Sequence, residues 1–318
     1  KRNSMMVATR AVFRAVLVIL LTLALSACSG VQKSLYNLAV SHETSKAGLE
    51  NTSVEIEEGR IALLRSEASK DREPLVLVHG FGANKENWLR LSQQLWDDFH
   101  IIAPDLPGHG SSVQDMNLSY RVPEQAERLA AILNRLDIER AHVAGNSMGG
   151  AIAAVFAAQH PERVMSLSLL DTGGIQRHPS EMDRLIEEGD NPLLVRDTQD
   201  YHRLIDLAME KPPFIPWPVS SVMAREFVAN YQINQKIFHD IRRDTGLDFA
   251  ATLGRIEAPT LVLWGSKDRL IDVKNASVVA EAVPDARLEI LEGIGHVPMI
   301  EAPGKTAELI RKIASATR

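Results

Sequence analysis

Three residues of this chain have the types and the order needed for nucleophilic catalysis. Ser147 sits in Gly145-Asn146-Ser147-Met148-Gly149, a G-x-S-x-G pattern. Asp268 closes Trp264-Gly265-Ser266-Lys267-Asp268, and His296 closes Gly293-Ile294-Gly295-His296. A serine hydroxyl is a poor nucleophile until an imidazole takes its proton. A carboxylate then fixes the imidazole tautomer and stabilises its cation. Ser147, Asp268 and His296 are therefore expected as nucleophile, orienting acid and base. Asp171 is a rival acid, since it also follows an apolar run that reads as a strand. Asp272 reads instead as the N-cap of a helix.

Acyl transfer also needs N–H donors for the oxyanion of its tetrahedral intermediate. The expected donors are the backbone N–H groups of Phe81 and Met148. Phe81 lies in the loop Leu77-Val78-His79-Gly80-Phe81-Gly82, and Met148 opens the helix after the serine. Losing one such donor typically slows the reaction by about 10²–10³. Asp105 and His109, in Pro104-Asp105-Leu106-Pro107-Gly108-His109-Gly110, read as loop-stabilising residues of a sharp bend. No H-E-x-x-H or other histidine spacing calls for a metal, and Gly149-Gly150 is no nucleotide fingerprint, so no cofactor is expected.

These side chains need a scaffold of alternating strands and helices. A hairpin is expected over residues 53–67, turning at Glu58-Gly59. Strands follow at 75–78, 100–104, 141–144, 164–170, 259–264 and 286–291. Helices are expected at 86–96, 123–136, 148–159 and 301–315. Short apolar strands separated by helices imply a doubly wound, mostly parallel sheet. The rhythm breaks between Thr172 and Thr252, where helical stretches at about 181–188, 198–210 and 220–242 surround Lys211-Pro-Pro-Phe-Ile-Pro-Trp-Pro218. An inserted helical cap over 173–252 is expected, dividing the core into 48–172 and 253–318. Phe214, Ile215 and Trp217 are expected to help form an apolar cleft for an acyl chain.

Residues 1–47 form a separate amino-terminal unit. Lys1, Arg2, Arg10 and Arg14 precede an uncharged stretch over 15–32. Eighteen helical residues span roughly 27 Å, close to a hydrocarbon core. The flanking charge predicts an anchor in a bacterial inner membrane with the body in the periplasm. Leu25-Ser26-Ala27-Cys28 leaves open a second reading, a lipoprotein signal cut before a lipidated Cys28. Either way the bilayer is a partner. Leu35, Leu38 and Ala39 lie at helical spacing and suggest an amphipathic continuation. Ser26 and Gly30 form a small-xxx-small pair through which two such helices could pair as a homodimer.

Composition excludes little but is consistent. A net charge of −6 with no basic run in the body argues against nucleic acid. A single cysteine excludes an internal disulfide or a thiolate metal cluster.

Taken together, His79-Gly80-Phe81-Gly82, Asp105-Leu-Pro-Gly-His-Gly110, Gly145-Asn-Ser-Met-Gly149, Trp264-Gly-Ser-Lys-Asp268 and Gly295-His296 resemble the α/β-hydrolase superfamily from about residue 53 onward. Within it the chain resembles monoacylglycerol lipases and, more closely, membrane-anchored bacterial phospholipases A1. The resemblance implies hydrolysis of lipid acyl esters with release of fatty acid. It maps Ser147, Asp268 and His296 onto the triad, and Phe81 and Met148 onto the oxyanion hole. The serine elbow is also similar to that of carbon–carbon hydrolases acting on ring-cleavage products. A non-catalytic lipid-binding envelope protein on the same fold is a further alternative.

Overall fold

The computed structural model describes residues 29–69, 71–243 and 247–316. Eight strands form one sheet: β1 (Leu49–Ile56), β2 (Gly59–Ser66), β3 (Glu73–Val78), β4 (Phe99–Pro104), β5 (Ala141–Asn146), β6 (Val164–Leu170), β7 (Thr260–Gly265) and β8 (Ala286–Leu291). Their order is β1-β2-β4-β3-β5-β6-β7-β8. β1 and β2 pair antiparallel, as do β2 and β4, and the other neighbours pair in parallel. β3 lies between β4 and β5, so the chain leaves it on one side and returns on the other. A crevice opens at such a switch point beyond the carboxyl ends of the strands.

The strand interiors explain this topology. Leu75, Val76, Leu77 and Val78 are all buried, as are all six residues of β4. A strand apolar on both faces must be covered on both faces. Helices Val122–Arg135 and Met148–Gln159 contribute Leu129, Leu133, Ile152 and Phe156 to one layer. Helices Leu89–Leu95 and Pro303–Ser315 contribute Leu91, Leu95, Leu309 and Ile310 to the other.

Several local expectations need correction. Ile56 pairs with Gly59, so the hairpin turns at Glu57-Glu58, one residue earlier than expected. The helix expected over 220–242 is two, Val219–Ala229 and Tyr231–Arg242. They meet at Asn230, whose side-chain oxygen accepts from Gln114 Nε2 at 3.5 Å. Asparagine competes with helical backbone bonding and favours such breaks. Asp272 accepts from Lys274 N–H at 2.9 Å in the turn before helix Asn275–Ala282, whose N-cap is Lys274 rather than Asp272.

The amino-terminal helix Ser29–Lys46 packs against the body. It turns Gln32 and Tyr36 inward, while Val31, Leu35 and Leu38 are exposed. Gln32 accepts from Arg225 at 2.7 Å, and Lys33 pairs with Glu226, which ties the helix to Val219–Ala229. Polar bonding has taken the inner face, and the apolar stripe points away from the body. Among the described residues no helix is long and apolar enough to cross a membrane. Cys28, Ser26 and most of the 15–32 stretch lie outside the described residues.

One buried pair makes the fold acid-sensitive. The His79 and His109 rings meet edge to face at 4.9 Å, and both are buried. Burial, with the neighbouring His79 adding to it, pushes His109 down to about 3. The folded state therefore holds His109 neutral while an unfolded imidazole takes a proton near pH 6.5. The stability this contributes is present above pH 6.5 and is lost as pH falls toward 3. From pH 7 to pH 5 the expected loss from His109 is about 2 kcal/mol. Urea unfolding at the two pH values measures it, and His109→Gln is expected to remove that part of the slope.

Candidate active site

The sequence Gly145-Asn-Ser-Met-Gly149 forms a sharp turn from β5 into helix Met148–Gln159. Ser147 adopts φ 56° and ψ −122°, a left-handed backbone rarely adopted by residues other than glycine. Such strain persists only where surrounding structure enforces it. Here close backbone approach does so. A Cβ on Gly149 would lie 2.1 Å from the Val78 carbonyl oxygen, and one on Gly145 would lie 2.2 Å from the Gly149 carbonyl oxygen. The Ser147 carbonyl accepts from Gly150 and Gly173 N–H at 3.0 and 2.9 Å. Asn146 bridges the turn to its surroundings, donating to the Leu170 carbonyl at 3.1 Å and to the His296 carbonyl at 2.9 Å.

His296 and Asp268 meet at the carboxyl end of the sheet. His296 Nδ1 lies 2.8 Å from Asp268 Oδ2, and both residues are buried. The other oxygen, Asp268 Oδ1, accepts from Leu270 and Ile271 N–H at 2.8 and 3.0 Å. This arrangement leaves His296 Nε2 as the free ring nitrogen, the tautomer a general base requires. The two loops can approach because Gly265 has no side chain. A Cβ there would lie 2.0 Å from the Gly295 carbonyl oxygen.

The histidine loop is also bonded to the segment between β6 and β7. His296 N–H donates to the Ala208 carbonyl at 2.8 Å, at the end of helix Thr198–Ala208. Glu301 accepts from Gly295, Glu210 and Lys211 N–H at 3.0, 2.9 and 2.8 Å. Sequence reasoning passed over Glu301, because nothing local signals a carboxylate that joins two distant loops.

Phe81 and Met148 flank the serine from the two sides of the switch point. Met148 opens its helix, where the first N–H groups lack intrahelical partners. A Cβ on Gly80 would lie 3.1 Å from Ser147 Cβ, so the loop after β3 touches the elbow. The Phe81 N–H finds no backbone acceptor among the described residues. Its direction is set by the Gly80 carbonyl, which accepts from Ala83 N–H at 3.3 Å and, at shorter range, from His79. His79 Nε2 accepts from Leu106 N–H at 3.0 Å, so the proton is on Nδ1, which donates to the Gly80 carbonyl at 2.8 Å. A trans peptide points its N–H opposite its carbonyl, so these bonds turn the Phe81 N–H the other way.

Asp105 accepts from Lys85 N–H, Lys85 Nζ and Ser111 N–H, each at 2.8 Å. Its bonds are all within the bend and its neighbours, in keeping with a loop role. A groove of about 1210 Å³ runs between helix Ser29–Lys46, the loop after β3 and the segment between β6 and β7. Phe214 and Ile215 line it, as does Gly82, the neighbour of Phe81, whereas Ser147 and His296 do not. Trp217 is not part of its wall, and Phe214 is 90% exposed. The proline-rich run thus places Phe214 and Ile215 on the groove and leaves Trp217 off its wall.

Among the described residues one cluster has metal-ligand character, Asp171, Asp268 and His296, with polar atoms within 4.8 Å of one another. Both Asp268 oxygens already bond to N–H groups or His296 Nδ1, so the cluster is organised by hydrogen bonds.

Two variants test this geometry on a soluble chromogenic ester. Ser147→Ala is expected to abolish turnover and labelling by a fluorophosphonate. His79→Gln is expected to lower kcat by about 10–10², since it releases one oxyanion donor without removing it, while KM stays within about threefold. A rise in KM with kcat preserved would exclude the orienting role of His79.

Comparison with known proteins agrees with this architecture. The sequence pattern of the α/β hydrolase fold matches residues 73–303. The chain is 36% identical over 285 residues to Lipase 1 of Psychrobacter immobilis, covering 88% of this chain and 89% of that one. It is 27% identical over 247 residues to human monoacylglycerol lipase ABHD6, covering 74% and 73%. The crystal structure of a membrane phospholipase A superposes with a TM-score of 0.89 at 38% identity, covering 96% of this chain and 98% of that one. The chain belongs to the α/β-hydrolase family.

Proposed function

We propose that this protein is a membrane-bound serine hydrolase that releases fatty acids from lipid esters, with phospholipids as its substrates. The observation that carries the reading is the Asp268-oriented His296, whose carbonyl is bonded by Asn146 to the strained elbow that carries Ser147. Lipid ester hydrolysis is supported by the lipase relatives. The choice of phospholipid draws on the similarity to a membrane phospholipase A.

Ser147 attacks the ester carbonyl while His296 Nε2 takes its proton. The N–H groups of Phe81 and Met148 hold the oxyanion. His296 then protonates the leaving alcohol, and an acyl-serine forms. Water, deprotonated by the same nitrogen, releases the fatty acid. Asp268 stays ionised throughout and stabilises the imidazolium. Residues 173–252 act as a cap over this site, and its bonds to the histidine loop keep the two in register.

Exposed apolar side chains support action at a lipid surface. Trp217 is 54% exposed beside the still more exposed Phe214, and Val31, Leu35 and Leu38 form a stripe on helix Ser29–Lys46. Aromatic rings with a polar edge favour the membrane interface. An amino-terminal anchor with a periplasmic body belongs to this reading, with a lipoprotein lipidated at Cys28 as its alternative, and with a homodimer through the amino-terminal segment. A second reading, monoacylglycerol lipase, rests on the ABHD6 relatives.

Mass spectrometry of products from defined phospholipids and monoacylglycerols, with Ser147→Ala as control, decides between them. Fatty acid release from phospholipids by the wild type alone is expected. Release from monoacylglycerol alone would make the protein a glyceride lipase. No release from either, with Ser147 still reactive toward a fluorophosphonate, would sink the lipid reading.

A further inference from the structure

Behind His296 and Asp268 lies a third carboxyl that the mechanism above does not use. Asp171 follows β6 and is fully buried. Its backbone is held at φ 45°, in the left-handed region that residues with a side chain rarely enter. Its N–H donates to the Leu263 carbonyl at 2.9 Å, and its Oδ1 accepts from Gly265 N–H at 2.9 Å. Two bonds to β7 thus fix the carboxyl in place. The other oxygen, Oδ2, has no hydrogen-bond partner among the described residues. Polar atoms of Asp171, Asp268 and His296 nonetheless lie within 4.8 Å of one another.

An ionised carboxylate only accepts hydrogen bonds. Two buried carboxylates this close would repel, and Asp171 Oδ2 would be left without a donor. A proton on Oδ2 removes both difficulties, because a neutral carboxyl has an O–H to give. Asp268 is the neighbouring carboxylate, with a polar atom within 4.8 Å of one on Asp171, and it must stay ionised to hold His296. We propose that Asp171 is a neutral carboxylic acid that donates a hydrogen bond to Asp268, and so is a positioning residue for the acid of the Ser147–His296–Asp268 set. The inference rests on the serine-hydrolase reading for its consequence in catalysis, though not for the protonation itself.

The surroundings agree. Burial foremost, then the charge of Asp268 and more weakly that of Glu301, raise Asp171 well above the ordinary carboxyl range. The Gly265 N–H works in the opposite direction. Glu301 is itself engaged by three backbone N–H groups. The imidazolium formed in turnover therefore faces one negative charge rather than two. Two carboxyls of the same type hold different protonation states because their environments differ.

The test is the pH dependence of kcat/KM on a soluble ester, with full-length wild type, Asp171→Asn and Asp171→Leu. Asparagine keeps the shape and an N–H donor, so the acid limb is expected to stay within about 0.3 pH unit and the rate within about threefold. Leucine removes the donor. Asp268 then attracts the imidazolium more strongly, and the acid limb is expected to rise by about 0.5 unit with a loss of rate of about tenfold. A limb that falls by about one unit or more in Asp171→Asn would mean a negative charge had been removed, and would overturn the proposal. A slow Asp171→Leu enzyme with an unmoved limb would reduce Asp171 to packing. Infrared spectroscopy of wild type with ¹³C-labelled aspartate in D₂O near neutral pD needs neither turnover nor a variant. A label-sensitive neutral-carboxyl band is expected, and its absence would overturn the assignment even if Ser147 proved essential.

Discussion

The site depends on one close approach of backbone to backbone. The elbow at Ser147 presses against the end of β3, with no room for a side chain at Gly149 beside the Val78 carbonyl. That contact holds Ser147 in a left-handed conformation that costs on the order of 1–3 kcal/mol. The cost is borne by the packing of helix Met148–Gln159, whose residues Met148–Ala157 are all buried. The same contact brings the loop carrying Phe81 against the serine. Ser147 and Phe81, the proposed nucleophile and oxyanion donor, are therefore positioned by a single piece of packing, at the point where the strand order reverses.

Asp268 and His296 are positioned by a second close approach, at Gly265 and Gly295. Both glycines are crowded by backbone atoms, Gly265 by the Gly295 carbonyl and Gly295 by the Ala208 carbonyl. The Asp268 loop, the His296 loop and the end of helix Thr198–Ala208 thus form one stack. Arg269, next to the acid, donates to the carbonyls of Asp206 and Met209 on that same helix end. Any displacement of the cap would have to break bonds to the loops on both sides of the His296–Asp268 pair. Asn146 closes the circle by bonding the elbow to the His296 carbonyl.

Much of this was legible from residue order. Strand runs such as Leu75-Val-Leu-Val78 are apolar throughout, and only a sheet covered on both faces accommodates them. Gly145, Gly149 and Gly265 mark turns because backbone crowding there excludes every other residue. The order Ser147, Asp268, His296 and the strand preceding each are local properties of the chain. The break at Asn230 and the inward face of helix Ser29–Lys46 were not legible. At the helix the inward face is polar, with Gln32 accepting from the distant Arg225, and local periodicity does not encode such a partner.

The sequence by itself determined the fold family, the residue types available for acyl transfer and the strand ends from which they project, because hydrophobic period and glycine placement are encoded locally. Only the tertiary structure decided which carboxyl serves His296. Asp171 and Asp268 both end buried strands and look equivalent in the chain. In space Asp268 Oδ2 reaches His296 Nδ1 at 2.8 Å, while Asp171 lies behind it, bonded to β7 through Gly265. Their difference comes from burial and from each other's charge, and neither exists until the two loops are brought together.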